Sequence, residues 1–523
     1  MKITTKVTAL LLTLLMVLSL SGCRKDGTSL SLRIGLVGEC TVPDPAMVMT
    51  DSEKILVNHL YENLMKLAPN GEGGSQVTSG LARSYRCEDE LDGTQTYTFT
   101  LRDGVKWSNG QLLTAGDFVY AWRRLADPAT QSPNASLLSV VAGYDQVRKK
   151  GDASLLQVTA EDEHTLVVKL NCRCPYFLSA VCTDPATMPL YAEDTTLTNG
   201  AYCISEQRDG QLTLSVSSQY YDSKYTGPAT LVFPFYTDTA ELPEDCDFVL
   251  GQPGGTAWDN ADPYPRTTVL LVNQSAPSLK NESLRQALSL VIDRDALSEL
   301  AGGAYTAADG LVSSGILAED GTSFRENNGA LIDNEEKHYQ DNCVAAQQKI
   351  VDAGLNDARS MASLGTVTLL YAKNDSNEQI VTALQQTWQK TLGITVTPLG
   401  VAEADMTAAL EKGEFALALT EVTGRYNDAT AFLNQFHSTA ATNYGHYRSS
   451  AYNMLLRVAA TSSSDEARRA YLEDAERLLL ENGGVIPLYG ANCCYQMRQD
   501  LTGLLNNGVG VYDFHYIRQV TNQ

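Results

Sequence analysis

The sequence predicts an α/β protein whose mixed sheets are covered by helices, divided into more than one domain. Three observations carry this. The chain has 523 residues, 43% of them hydrophobic, more than a single core absorbs. Its second half alternates apolar, β-branched runs with amphipathic helical patterns, as strands covered by helices require. No internal repeat or low-complexity block interrupts that alternation.

The first element is a targeting signal. Lys2 and Lys6 precede Val7–Gly22, an uncharged run rich in leucine, and Leu20-Ser21-Gly22 leads into Cys23. A positive start, an apolar stretch and small residues before a cut site mark a secretory signal over 1–22, too short to span a bilayer. Small residues directly ahead of Cys23 resemble the lipobox of bacterial lipoproteins, which makes Cys23 the acylated first residue; the plainer alternative is an incidental cysteine. The polar stretch after Cys23 is a tether.

SLRIGLVG alternates as a strand, with Leu32, Ile34 and Leu36 on one side. DSEKILVNHLYENLMKL carries apolar residues at helical spacing from Ile55 to Leu64. Tyr97, Phe99 and Leu101 alternate again, and Asp103-Gly104 and Asn109-Gly110 turn the chain. Thr114, with Asp117 three residues on, caps a helix over Phe118–Leu125. HTLVVKL and QLTLSVS follow as strands. TTVLLVN opens the second half, with the helix ESLRQALSLVIDRDAL behind it. TVTLLYA, ITVTPLG and FALALTE then alternate with helices around Gln379–Leu392 and Ala402–Glu411, and DEARRAYLEDAERLLLEN precedes a last strand, VIPLYG.

Composition excludes several functions. With 62 acidic against 39 basic residues, the formal net charge of −23 repels phosphate backbones and argues against nucleic acid as a partner. Eleven cysteines, one of them Cys23, leave ten that an exported chain can keep as thiols or oxidise. Cys172-Arg173-Cys174 with Cys182 lacks metal spacing and a nearby histidine, so structural thiols or disulfides are expected there. The six histidines are scattered, and only His437 and His446 lie close together. No GxSxG elbow, HExxH pair, Walker loop or dinucleotide fingerprint is present, so an enzyme, a bound metal and a cofactor are all disfavoured.

At YTFTLRDGVKWSNG, followed by LTAGDFVYAWRRLADP, the sequence resembles the family 5 extracellular solute-binding proteins: the oligopeptide-, dipeptide- and nickel-binding lipoproteins of bacterial ABC importers. The likeness runs in order through VPDPAMVMTDSEKILVNHLYENLMKL, HTLVVKLNCRCPYFLSAV, NGAYCISE (with Ala201 where Pro is usual), VNQSAPSLKNESLRQALSLVIDRDAL and AERLLLENGGVIPLY. It implies a two-lobe periplasmic-binding-protein-like fold with an additional domain on the first lobe. The division expected is signal peptide 1–22, lipidated tether 23–29, first lobe 30–74, additional domain 75–195, first lobe 196–270, second lobe 271–488 and first lobe 489–523. TTVLLVN and VIPLYG would carry the chain between lobes, near Leu270 and Leu488, while Trp107, Asp117 and Tyr120 hold the additional domain together. The implied partners are a peptide or related small solute, ABC permease subunits, and a membrane reached through the lipid. The protein would be a monomer on the outer face of the cell membrane. An exported sensor or interaction lipoprotein of the same fold is the alternative.

TGRYNDATAFLNQF is where the resemblance bears on specificity. Gly424 permits a turn, Asn427 or Asp428 caps a helix, and Phe432, Leu433 and Phe436 share one face. In oligopeptide binders this stretch resembles Trp-x-x-Asp-Tyr-x-x-Pro, whose Asp meets the peptide's α-ammonium. Aligned on Tyr426, Val422 stands at the Trp, Arg425 at the Asp and Ala429 at the Pro. A guanidinium in place of a carboxylate reverses the charge preferred in a partner. The expected ligand-binding residues are therefore Val422, Thr423, Arg425, Tyr426 and Asp428, with Asp428 as either a substitute carboxylate or the helix cap, and an anionic ligand group fits better than a nickel ion.

Overall fold

A computed structural model describes residues 30–520 apart from 40, 72–74, 209, 223, 226, 238–244, 252–254, 256, 257, 259, 319 and 320. The signal peptide, Cys23 and the tether lie outside the described residues, as does Cys40.

One long sheet runs through most of the chain. Its strands lie in the order Val396–Val401, Val367–Ala372, Leu417–Thr423, Asn260–Val272, Val485–Met497, Phe248–Leu250, Ser31–Val37, Thr230–Tyr236, Gln211–Val216 and Tyr202–Arg208; Tyr305–Ala307 also pairs with Val485–Met497. Pairing is mixed. Ser31–Val37 is parallel to both neighbours, whereas Asn260–Val272 is antiparallel to Leu417–Thr423 and to Val485–Met497. A separate four-stranded antiparallel sheet contains Ala82–Asp89, Gln95–Leu101, Thr165–Leu170 and Val158–Ala160.

Three apolar cores follow from this layout. The first packs Ile34 and Phe233 of the long sheet together with Phe99, Trp122 and Phe177 around the four-stranded sheet. The second and third cover opposite faces of the long sheet's other half. Leu270, Val272, Leu369 and Leu417 face Trp388, while Val269, Leu271, Leu370 and Ala418 face Phe432 and Leu472. Burial on both faces explains why these strands are continuous apolar runs, whereas the alternation of Leu32, Ile34 and Leu36 marks one side.

Two 13-residue strands, Asn260–Val272 and Val485–Met497, connect the first core to the others. Tyr264 and Tyr495 pack against the first core, while Val269–Val272 and Val485–Tyr489 belong to the second and third. The pairing of the two strands is interrupted between Pro263 and Thr267 and between Thr268 and Val269, where the passage occurs.

Helix ends differ from the sequence expectation in two places. The helix expected through Leu67 is Asp51–Leu60, and Met65–Pro69 is instead a strand paired with Ser75–Ser79. Asn63 makes the change of course: its amide donates to Asp184 O and Thr187 Oγ1, and its Oδ1 accepts Leu64 N. ESLRQALSLVIDRDAL is two helices, Glu282–Leu290 and Arg294–Ala301, because Asp293 caps the second and buried Arg294 turns in to donate to Pro487 O. The Thr114 start holds, with Asp117 Oδ2 accepting Thr114 N at 2.7 Å and Trp107 Nε1 at 3.4 Å. The nine described cysteines are all free thiols, so neither a disulfide nor a Cys172–Cys174–Cys182 metal set forms among the described residues.

Candidate functional site

TGRYNDATAFLNQF begins at the end of Leu417–Thr423, where Thr423 pairs with Arg266 and Val422 with Thr267. Gly424 N then donates to Pro265 O at 2.7 Å. Glycine is needed here for close approach, since a Cβ would sit 2.4 Å from the Phe432 ring. The helix after it is brief, Thr430–Leu433 followed by a tighter turn over Asn434–Phe436, and Phe432, Leu433 and Phe436 are buried as their spacing predicts.

The expected binding residues separate into two groups. Thr423 and Arg425, with Gly424 between them, line a cavity of about 270 Å³. Val422 does not line it: the side chain is 3% exposed and lies in the third core, because alternation along the strand turns it inward while Thr423 turns out. Asp428 is buried, and Oδ1 accepts Thr430 N at 2.9 Å and Arg468 Nη2 at 2.7 Å, so the carboxylate is used within the protein, in the turn ahead of the helix and in an ion pair. The helix cap itself is Ala429, not Asn427 or Asp428 as expected, and it carries no side-chain cap bond. Tyr426 stacks on Tyr176 at 4.8 Å and 17°, and burial pushes its phenol up to about 12.

The cavity lies where the first core, the four-stranded part and the second half of the chain meet. Val48, Met49 and Lys54 come from the first, Pro133–Asn134 and Ser136–Leu137 from the second, and Tyr264–Pro265 from the connecting strand. Lys54 Nζ is answered by Asp51 Oδ1 at 3.1 Å, and Tyr264 Oη donates to the same oxygen at 3.2 Å. Arg425 Nη1 donates to Pro133 O at 3.0 Å, and the guanidinium has no carboxylate partner among the described residues. Asp184 stands in the same wall, and burial raises its carboxyl to about 6. Sequence reading missed Lys54, Asn134 and Asp184, which come from three distant segments with no shared pattern.

A smaller neighbouring cavity, about 80 Å³, shares Val511 with the first. Its Glu62 accepts hydroxyls from Tyr220 and Tyr221 and pairs with Lys66 at 3.3 Å. His59, Asp513 and His515 adjoin it, the two imidazoles stacked at 4.6 Å and 4°. Both His59 nitrogens are engaged, Nδ1 at 2.7 Å from Ile55 O and Nε2 accepting Phe514 N at 3.0 Å. That leaves neither nitrogen for a metal and fixes a neutral ring; burial, assisted by His515, lowers its pKa to about 4.

Residues 76–444 match the family model for bacterial extracellular solute-binding proteins, family 5. The chain belongs to that family. This family 5 protein is 26% identical over 512 residues to the dipeptide-binding protein DppE of Bacillus subtilis, covering 91% of this chain and 90% of that one. It is 27% identical over 513 residues to a probable deoxycholate-binding periplasmic protein, YgiS, of Escherichia coli, covering 90% and 88%. It also superposes on the unliganded open form of the murein tripeptide-binding protein MppA with a TM-score of 0.78 at 25% identity, covering 95% of this chain and 99% of that one. The fold is accordingly the two-lobe periplasmic-binding-protein type with mixed sheets covered by helices, and the relatives are solute-binding proteins. No helix among the described residues is long and apolar enough to cross a membrane.

Proposed function

We propose that this is the lipid-anchored substrate-binding protein of an ABC importer, taking a peptide or related small solute into the interlobe cavity and delivering it to a permease. The observation that carries the reading is the cavity beside Thr423–Arg425, lined from both sides of the two connecting strands. A cavity so placed changes shape when the lobes rotate, so a solute that binds the closed state better draws the lobes together and gives the permease a form to recognise. Arg425, a guanidinium with an uncommitted face in a wall that is otherwise half apolar, favours a solute with an anionic group beside an apolar body. The relatives named for a dipeptide, a murein tripeptide and deoxycholate span that range. Acylation at Cys23 would hold the monomer on the outer face of the cell membrane.

The test is native mass spectrometry of the chain purified without its first 23 residues. Recovery of a peptide or a small amphipathic acid supports capture. A protein that leaves expression empty, and whose melting temperature no peptide or bile acid raises, refutes it.

A further inference from the structure

We propose that Tyr176 is a positioning residue, which reaches across the lobe boundary to clasp the cleft-wall loop Thr423–Asp428 and its partner Arg468, and sets where Arg425 meets the solute. Tyr176 belongs to the four-stranded part and packs against the first core. Its ring meets two groups of the other lobe. Tyr426 stacks on it at 4.8 Å and 17°, and the Arg468 guanidinium lies 5.8 Å from its centroid. Tyr426 packs against both the first and the third core, so this ring joins two otherwise separate apolar bodies.

The clasp is tied into the loop. Arg468 Nη2 donates to Asp428 Oδ1 at 2.7 Å, and the same oxygen accepts Thr430 Oγ1, which is itself 3.2 Å from Tyr426 Oη. One network therefore joins the stacked ring, the helix start and the guanidinium. Arg468 is 4% exposed on its side chain, and Asp428 9%, so the pair is kept from water. Two outer contacts cross at the same place: Arg425 Nη1 to Pro133 O at 3.0 Å, and Arg173 to Ser462 O and to Asp465 Oδ1 at 3.2 Å.

The geometry separates two jobs. Asp428 and Arg468 could hold the short helix with no help from the four-stranded part. A tyrosine from that part placed against both Tyr426 and Arg468 adds nothing to the helix itself, and it fixes the angle at which the loop enters the cleft. Arg425 lies next to Tyr426 in sequence, so a shift of that ring moves the guanidinium with it. An aromatic pair with a cation nearby is of the order that changes a docked-to-undocked ratio about tenfold.

The consequence for solute binding rests on the reading of the cavity as the solute site, but the clasp is testable without a solute. Single-molecule FRET is measured on the ligand-free protein, with dyes on azide-bearing residues replacing exposed Lys150 and Lys412, one on each side of the boundary. Tyr176→Phe, which keeps the ring, should retain the wild-type distance distribution. Tyr176→Leu should raise the undocked population about tenfold with unchanged circular dichroism. An unchanged distribution in Tyr176→Leu, or equal broadening in Tyr176→Phe, overturns the proposal. If Tyr176→Leu does not fold, Tyr426→Leu removes the other ring of the stack and should likewise raise the undocked population about tenfold over wild type, an unchanged distribution overturning the proposal. An empty mass spectrum would refute solute capture and leave the FRET result standing, so the two failures are distinct.

Discussion

Lowering the pH should loosen the first core through a single side chain, His59. The ring is fully buried, donates from Nδ1 to Ile55 O and accepts Phe514 N at Nε2, so a second proton would displace the Phe514 amide. Burial, with His515 stacked above it, lowers the pKa from 6.5 to about 4, and Asp513 at 3.9 Å only partly offsets this. Between those values the unfolded chain binds a proton that the folded chain refuses. The contribution of His59 is therefore complete above pH 6.5, falls as the pH drops and is lost below about 4. Asp184, raised by burial to about 6, gains over the same range, so the histidine is isolated by comparison with a His59 variant. The loss is about 2 kcal/mol at pH 5 and approaches 3 kcal/mol at the end of the window. Asp513 titrates lower still: although burial opposes its charge, His515 holds the carboxyl well below the ordinary range, so it does not contribute within this window. A chain with three cores need not unfold in one step, so the assay is amide exchange of Phe514 and of Asp51–Leu60 at pH 7.5, 6 and 5. His59→Gln should be less stable at pH 7.5 and show a pH dependence shallower by about 2 kcal/mol at pH 5. Parallel pH profiles for the two proteins would refute the reasoning.

Gly424→Ala should destabilise the second lobe by about 1–3 kcal/mol in denaturant unfolding, because its Cβ would press on the Phe432 ring; a neutral result would mean the loop yields without cost. Asp428→Ala should cost about 3–5 kcal/mol in the same assay, since it strands the buried Arg468 charge, and a loss below 1 kcal/mol would show that the pair is solvated. Arg425→Asp should leave stability almost unchanged and alter which solutes raise the melting temperature, with anionic ones losing about tenfold in affinity or more; an unchanged solute profile would remove Arg425 from recognition. Cys23→Ala should release the protein from membranes on fractionation, and continued sedimentation with them would end the lipobox reading.

Much of the fold could be read because local patterns there agree with the tertiary outcome. The strands around Ile34, Phe99, Leu166 and Leu369 are apolar where they touch a core, and Thr114–Asp117 marks a helix start that nothing later opposes. The misreadings lie where a side chain's distant partner decides. Helical spacing continues past Leu60, yet Asn63 bonds to Asp184 and Thr187 and sends the chain into a strand. Val422 and Thr423 are neighbours in sequence, and only the direction of the pleat puts one in the core and the other in the cavity.

By itself, the sequence determined the class of fold and the family, because hydrophobic period and motif order are local properties carried along the chain. It also singled out Arg425 as the unusual cation. What surrounds that cation was decided only by tertiary structure. Pro133, Lys54, Asp184 and Tyr264 reach the cavity from segments that share no pattern, and Tyr176 reaches Tyr426 from 250 residues away in the chain. Contacts of that range depend on how the lobes pack, and packing is a property of the assembled surfaces, not of any one stretch of residues.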